Sequence, residues 1–285
     1  DLRGILQYVP RFREQIFVIS ADGAVVSDIN FTNLLLDIAV LRSLNIRVVL
    51  VHGAGKQVEQ LAEEKNLIPS NLDGTGITDS ATLELSMTVA NRLTHEILEG
   101  LSARDLQAGC ANAIIALPKG IVNGVDQEHT GCIKRVDVST LKTLLAEDII
   151  PVIPPLGFDG NGNTFRVNSD AVALEVSKAL GAIKLIFTTT TDGLLSNGTL
   201  IHQISSSDLA NLLEDGTSFE TKLASKARHA AAACNFGVPR VHVINGRVPE
   251  GILAEVFSNE GIGTLIYANE YRHIRAAHKK DAASI

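Results

Sequence analysis

Tryptophan is absent from the 285 residues, methionine occurs once, and cysteine occurs three times. Cys110, Cys132 and Cys234 are odd in number, far apart and without a C-x-x-C pair. That pattern fits neither a disulfide framework nor a thiolate zinc site, and buried free thiols in a reducing cytoplasm are expected. The eight histidines form no H-E-x-x-H or similar ligand pair, so no resident metal is expected. Excess positive charge is also missing. The net charge of -7 gives a phosphodiester backbone little to bind, and no nucleic-acid partner is expected. No apolar run approaches the ~20 residues of a membrane-spanning helix, and the opening DLRGILQYVPRFR is too broken by charge for a signal peptide. No membrane partner and a cytoplasmic location follow as expectations.

What remains is 45% hydrophobic and 20% charged residues, a balance able to bury a large α/β core. Leu2, Ile5, Leu6 and Val9 have helical spacing, which predicts a short helix within residues 1–15, ended by Pro10. Its apolar face needs a surface, either on its own domain or on a neighbouring subunit of a homo-oligomer. Apolar runs at 16–19, 46–51, 113–117, 149–153, 184–187, 241–244 and 261–266 read as strands. Between them, helical patterns cover 80–100, 170–180, 222–233 and a stretch through Leu253 and Val256. Residues 131–137 read as a hairpin arm beside the substrate pocket, and the Gly, Asn and Asp of 157–164 turn another hairpin. Alternating strands and helices predict a mostly parallel sheet covered on both faces, a three-layer αβα sandwich. Two lobes are expected, about 16–183 and 184–270.

Candidate binding residues cluster at predicted strand ends, where open α/β sheets hold ligands. Asn168 and Asp170 open a helix, and Thr188 to Asp192 close a strand. His52-Gly53-Ala54-Gly55-Lys56 turns from strand to helix, which brings backbone N–H groups to a positive helix end. This turn is not a Walker A loop, because Leu50 and Gln57 stand where Gly and Ser or Thr are required. Nor is it the dinucleotide fingerprint, because Val58 replaces the third glycine.

The run Asn168-Ser169-Asp170, an apolar helix, a strand and Thr191-Asp192-Gly193-Leu194 resembles the amino acid kinase family. The likeness is greatest to N-acetylglutamate kinases and to the kinase-like half of N-acetylglutamate synthases. It implies that Gly23, Gly53 and Gly55 belong to glycine turns around nucleotide and substrate, that Asn168 holds an acylated amino acid, and that Asp170 and Lys222 organise the transferred phosphate. In the family a lysine ends the first strand ahead of two glycines. Here Ser20 takes the lysine's place and Asp22 the first glycine's. Two like charges ~4 Å apart cost about 4 kcal/mol at an effective dielectric of 20. A clamping arginine is replaced by Gly76, which offers no bidentate contact. The resemblance therefore implies a vestigial pocket without kinase chemistry.

Both chain ends extend it. ILQYVPRFREQIF resembles the N-terminal helix of arginine-sensitive members, with Tyr8 at the tyrosine position. His242, Glu255, Gly261 and Gly263 match the segment that holds L-arginine in those members. Residues 271–285 resemble the opening of a GNAT-type acetyltransferase domain, too short to bury a core. The implied function is an arginine-sensing, kinase-inactive domain of N-acetylglutamate synthase. Acetyl-CoA would be a substrate of the longer enzyme, and no cofactor is expected in this segment. An active ATP-dependent N-acetylglutamate kinase and a free-standing arginine-binding module are the rivals.

Overall fold

A computed structural model describes residues 9–196, 198–214, 219–258 and 261–268. Strands β1 (Ile16–Ala21) and β2 (Arg47–His52) are buried at every position after the first. Ile16–Ile19 and Val48–Val51 within them are continuously apolar because a parallel sheet is covered on both faces. β3 (Ala108–Cys110) is followed by β4 (Ile114–Pro118), β5 (Gly131–Val136), β6 (Ile150–Ile153), β7 (Leu156–Phe158) and β8 (Thr164–Arg166). β9 (Lys184–Thr189), β10 (Gln203–Ser205), β11 (Arg240–Asn245) and β12 (Thr264–Tyr267) complete two sheets. The large sheet runs β10-β12-β11-β9-β1-β2-β6-β3, and the smaller one β8-β7-β4-β5. Every pair in the large sheet is parallel except β11 with β12.

Alternation along the strands divides the core into two layers. Val18, Val49, Val51, Leu185, Phe187, Val241 and Val243 face one side. Phe17, Ile19, Val48, Leu50, Ile186 and Ile244 face the other. The helices, in chain order, are α1 (Gly23–Val26), α2 (Phe31–Ser43), α3 (Gly55–Glu64), α4 (Ser80–Ser102), α5 (Val138–Ala146), α6 (Ser169–Leu180), α7 (Ser206–Glu214), α8 (Thr221–Asn235) and α9 (Gly251–Val256). α5, α6, α7 and α8 cover the first face, while α2, α3, α4 and α9 cover the second. The three-layer sandwich is thus as expected. Both layers draw on residues before and after 184, and the sheet crosses that point unbroken through the β1–β9 pairing.

Two local expectations change. Residues 9–12 are helical and the Arg13 N–H donates to the Val9 carbonyl at 2.9 Å, so the turn runs past Pro10. Proline's fixed φ suits a helix, and continuation seats the Phe12 ring 5.5 Å from Phe17 and 6.0 Å from Phe257. Those contacts lie on the chain's own core. Tyr8 and the subunit contact expected of the first residues lie outside the described residues, as does the acetyltransferase-like segment 271–285. α4 runs through Gly100 to Ser102, and a Cβ at Gly100 would stand 2.5 Å from Leu35 Cδ1, so the glycine lets the two helices pack rather than ending one. In contrast, α6 stops at Gly181 in the left-handed region, φ 65°, as its sequence predicts.

The start of α9 has a cap supplied from elsewhere. Glu250, its N-cap residue, makes no side-chain cap. The buried Asp37 carboxylate of α2 accepts the Ile252 N–H at 2.9 Å instead. Burial pushes Asp37 up to about 6, against the pull of the N–H groups of Ile252 and Leu253.

Candidate functional site

β1 and β2 lie side by side in the sheet, and both run into glycine turns at the same edge. The N-terminus of α6 meets those turns, since a Cβ at Gly53 would touch Ser169 Oγ at 3.2 Å. The result is a cleft lined by Asp22, Gly23, the 53–56 turn, Arg166 to Asp170, and Lys226. A Cβ at Gly23 would stand 3.1 Å from the Gly53 carbonyl and 3.3 Å from Ala54 Cα, so the close approach of the two turns favours glycine there.

Asn168 caps α6, accepting the Ala171 N–H at 3.0 Å, and donates through Nδ2 to the Asp73 carbonyl at 2.9 Å. Asp170, one residue into the helix, is buried. Its Oδ1 accepts from Lys226 Nζ at 2.8 Å and its Oδ2 from Ser225 Oγ at 2.8 Å. Asp22 spends Oδ1 on the Ala24 N–H at 2.9 Å, and its Oδ2 stands 3.6 Å from Lys226 Nζ. Burial works against the Lys226 charge, but Asp170 and Asp22 outweigh it and hold the ammonium above its ordinary range. The cation at Asp170 is therefore Lys226, where the sequence pointed to Lys222. The two are one helical turn apart on α8 and share a face, so spacing alone does not separate them. The side chain of Lys222 lies outside the described residues. Ser20 and Asp22 take up bonds with Thr188 at the end of β9: its hydroxyl donates to the Ser20 carbonyl at 3.1 Å and accepts the Asp22 N–H at 3.3 Å.

Arg166 is a cleft residue that the sequence did not single out. It is 4% exposed and donates to the Asn71 and Leu72 carbonyls at 2.7 and 2.5 Å and to Asn71 Oδ1 at 3.2 Å. Burial draws it down to about 10, so it stays cationic. Together with Asn168, Lys119 on the Thr75 carbonyl (2.7 Å) and Thr130 on the Gly76 carbonyl (2.5 Å), it straps the 71–76 loop at the cleft. Gly76 thus contributes a carbonyl where the family resemblance wanted a guanidinium. Asp192 lies apart from the cleft wall, accepting from Asn245 Nδ2 at 2.9 Å at the ends of β9 and β11.

A second cluster joins the N-terminal turn to the last strand. His242 Nδ1 is 2.7 Å from Glu255 Oε1, and His242 Nε2 is 2.9 Å from Lys184 Nζ. Burial and the Lys184 charge push His242 down to about 4. The neutral ring then donates from Nδ1 and accepts the ammonium at Nε2. Burial and Arg240 bring Lys184 to about 8, and its ammonium lies 5.4 Å from the Phe12 ring centre. Burial pushes Glu255 up, but His242 and the turn N–H groups outweigh it, and its pKa is lowered. Glu255 Oε2 accepts the Ile262 and Gly263 N–H groups at 2.7 and 2.9 Å. Glu255 thus already occupies two of the N–H donors of the 261–263 turn, within the segment that the resemblance assigned to arginine. That carboxylate explains Gly261, where φ is 66° and a Cβ would stand 2.7 Å from Glu255 Oε2. Among the described residues no three His, Cys, Asp or Glu side chains are placed to hold a metal, and no helix is long and apolar enough to cross a membrane.

Comparison with known proteins sorts these features. Residues 15–245 match the amino acid kinase family. The acetylglutamate kinase of Campylobacter hominis is 33% identical over 266 residues, 92% of this chain and 94% of that protein. The amino-acid acetyltransferase of Pseudomonas fluorescens is 32% identical over 295 residues, all of this chain but 68% of that protein. A structure of N-acetylglutamate synthase from Neisseria gonorrhoeae with coenzyme A and L-arginine superposes with a TM-score of 0.88 at 28% identity, over 99% of this chain and 68% of the other. The chain thus spans about two thirds of the length of these acetyltransferases. By family match, identity and architecture together, the chain belongs to the amino acid kinase family.

Proposed function

We propose that the chain is the kinase-inactive, arginine-sensing part of an N-acetylglutamate synthase, which transfers acetyl from acetyl-CoA to L-glutamate. The observation that carries this is the meeting of Phe12, Lys184, His242 and Glu255 at one joint. A buried anion and a buried cation, bridged by a neutral imidazole under the N-terminal turn, suit a zwitterion carrying a guanidinium. Glu255 offers the charge for the guanidinium, and Lys184 the charge for the α-carboxylate. Because these groups are paired internally, arginine must open the joint to enter, which would move the N-terminal turn. The match to acetyltransferases along the whole chain supports the synthase reading. Acetyl transfer would lie in sequence beyond the described residues.

Kinase inactivity rests on Ser20 and Asp22, which among the described residues leave the cleft without an unspent buried cation for a transferred phosphate. A coupled assay with MgATP and N-acetylglutamate is expected to show no ADP release. Turnover in the range of about 1–100 s⁻¹ usual for kinases would favour the N-acetylglutamate kinase reading instead.

L-Arginine is expected to raise the melting temperature by several degrees. A ligand held only by the folded state at a hundred times its Kd contributes about 2.7 kcal/mol. Citrulline, without the charge, should give little. Glu255→Gln and, separately, Lys184→Met should each remove most of the response. Equal shifts with arginine and citrulline, or an intact response in both variants, would place the site elsewhere.

A further inference from the structure

The reading that the cleft no longer transfers phosphate leaves open what decides its ligand. Resting on that reading, we propose that Asp22 sets the charge preference of the cleft: its carboxylate is a tethered anion that occupies the cleft side of Lys226 and turns small anions away.

The geometry has three parts. Lys226 carries three N–H donors. One reaches Asp170 at 2.8 Å, while Asp22 Oδ2 at 3.6 Å lies beyond hydrogen-bond range but within ion-pair range. Asp22 therefore acts on the ammonium through charge and leaves a donor direction unused. Next, the Lys226 side chain is 4% exposed and that of Asp22 22% exposed, so the carboxylate is the part of this pair that a ligand meets. It is held there by the Ala24 N–H on its other oxygen. Two carboxylates on one ammonium leave a local charge of minus one. Finally, Arg166, the other deeply buried cation of the cleft, is spent on the Asn71 and Leu72 carbonyls. Among the described residues, both buried cations of the cleft are thus occupied from within. Neutralising Asp22 is the single change that leaves a buried ammonium over-supplied with donors and facing an open cavity.

Inorganic phosphate is the probe, titrated by ³¹P NMR and calorimetry against the wild-type protein and two variants. Asp22→Asn keeps the volume and the helix cap, because Asn caps as well as Asp; if it does not fold, Asp22→Ser, also a capping residue, replaces it. The neutral variant is expected to bind phosphate at least tenfold tighter than wild type. Asp22→Glu, which keeps the charge, is expected to show no gain, and adding Lys226→Met to the neutral variant should abolish the gain. Equal phosphate binding by wild type and the neutral variant overturns the proposal, as does a gain that survives the loss of Lys226. Phosphate binding needs neither ATP nor acetylglutamate. ADP release by the wild-type protein would therefore sink the kinase-inactive reading alone, and a missing gain in the neutral variant would sink this proposal alone.

Discussion

Lys226→Met is expected to lower stability by about 3–5 kcal/mol, the usual cost of removing one partner of a buried ion pair. Methionine nearly matches the lysine stem in volume, so packing changes little and the loss is electrostatic. Without the ammonium, Asp170 keeps only Ser225 on Oδ2, and Asp22 stands across from it with no cation between them. The pair also joins α8 to the ends of β1 and α6, so its loss acts on the seam between the N-terminal and C-terminal halves of the sheet. Denaturant unfolding measures the effect. Pairing Lys226→Met with Asp170→Leu should recover much of the loss, because buried ion pairs are often replaced by apolar groups at little cost. A single variant that loses under about 1 kcal/mol, the range of an exposed pair, would show that this lysine is not clamped between carboxylates in solution.

Acidification from pH 6.5 to 4 is expected to destabilise the protein by several kcal/mol. His52, buried and bonded through Nε2 to the Thr94 hydroxyl at 2.8 Å, is pushed down to about 4 by burial. His242 is held at about 4 by burial and Lys184. Between pH 4 and 6.5 the unfolded chain protonates both histidines and the folded chain neither. Their stabilisation is therefore complete above 6.5 and is lost as the pH falls. Each contributes about 3 kcal/mol at most, at 1.36 kcal/mol per pH unit. Asp37 opposes them. Its folded value near 6, above the ordinary 3.8, means that the folded state takes up its proton first and gains stability as pH falls through that window. Glu255 lies below its ordinary 4.5 and so weakens the fold only at the acid end. Two histidines against one aspartate leave a net loss. Urea midpoints between pH 4 and 7 test this, and His242→Gln should flatten the profile. A flat profile in the unsubstituted protein would mean that the two rings are already solvated.

Some of this protein was legible residue by residue. The runs at 16–21, 47–52 and 184–189 each hold a continuous apolar stretch, 16–19, 48–51 and 185–187, because a strand covered on both faces has no solvent side, and that pattern is local. So are the Asn168 cap and the Gly181 stop of α6, each of which satisfies backbone groups within a few residues. The glycine turn after β2, the lysine missing at Ser20 and the carboxylate added at Asp22 were equally readable, since each concerns the residue's own side chain. Pairings across the chain were not. Lys222 and Lys226 share a helix face, and spacing alone did not single out Lys226 as the partner of Asp170. Nothing local marks Arg166, whose partners come from the distant 71–76 loop. Glu255 read as a carboxylate waiting for a ligand, yet the turn six to eight residues on supplies two N–H groups and β11 adds an imidazole. A buried charge takes whatever partner the tertiary fold brings within about 3 Å, because leaving it unpaired costs more than almost any local preference. Local propensity therefore set the elements, and the cost of burying charge decided which side chains meet.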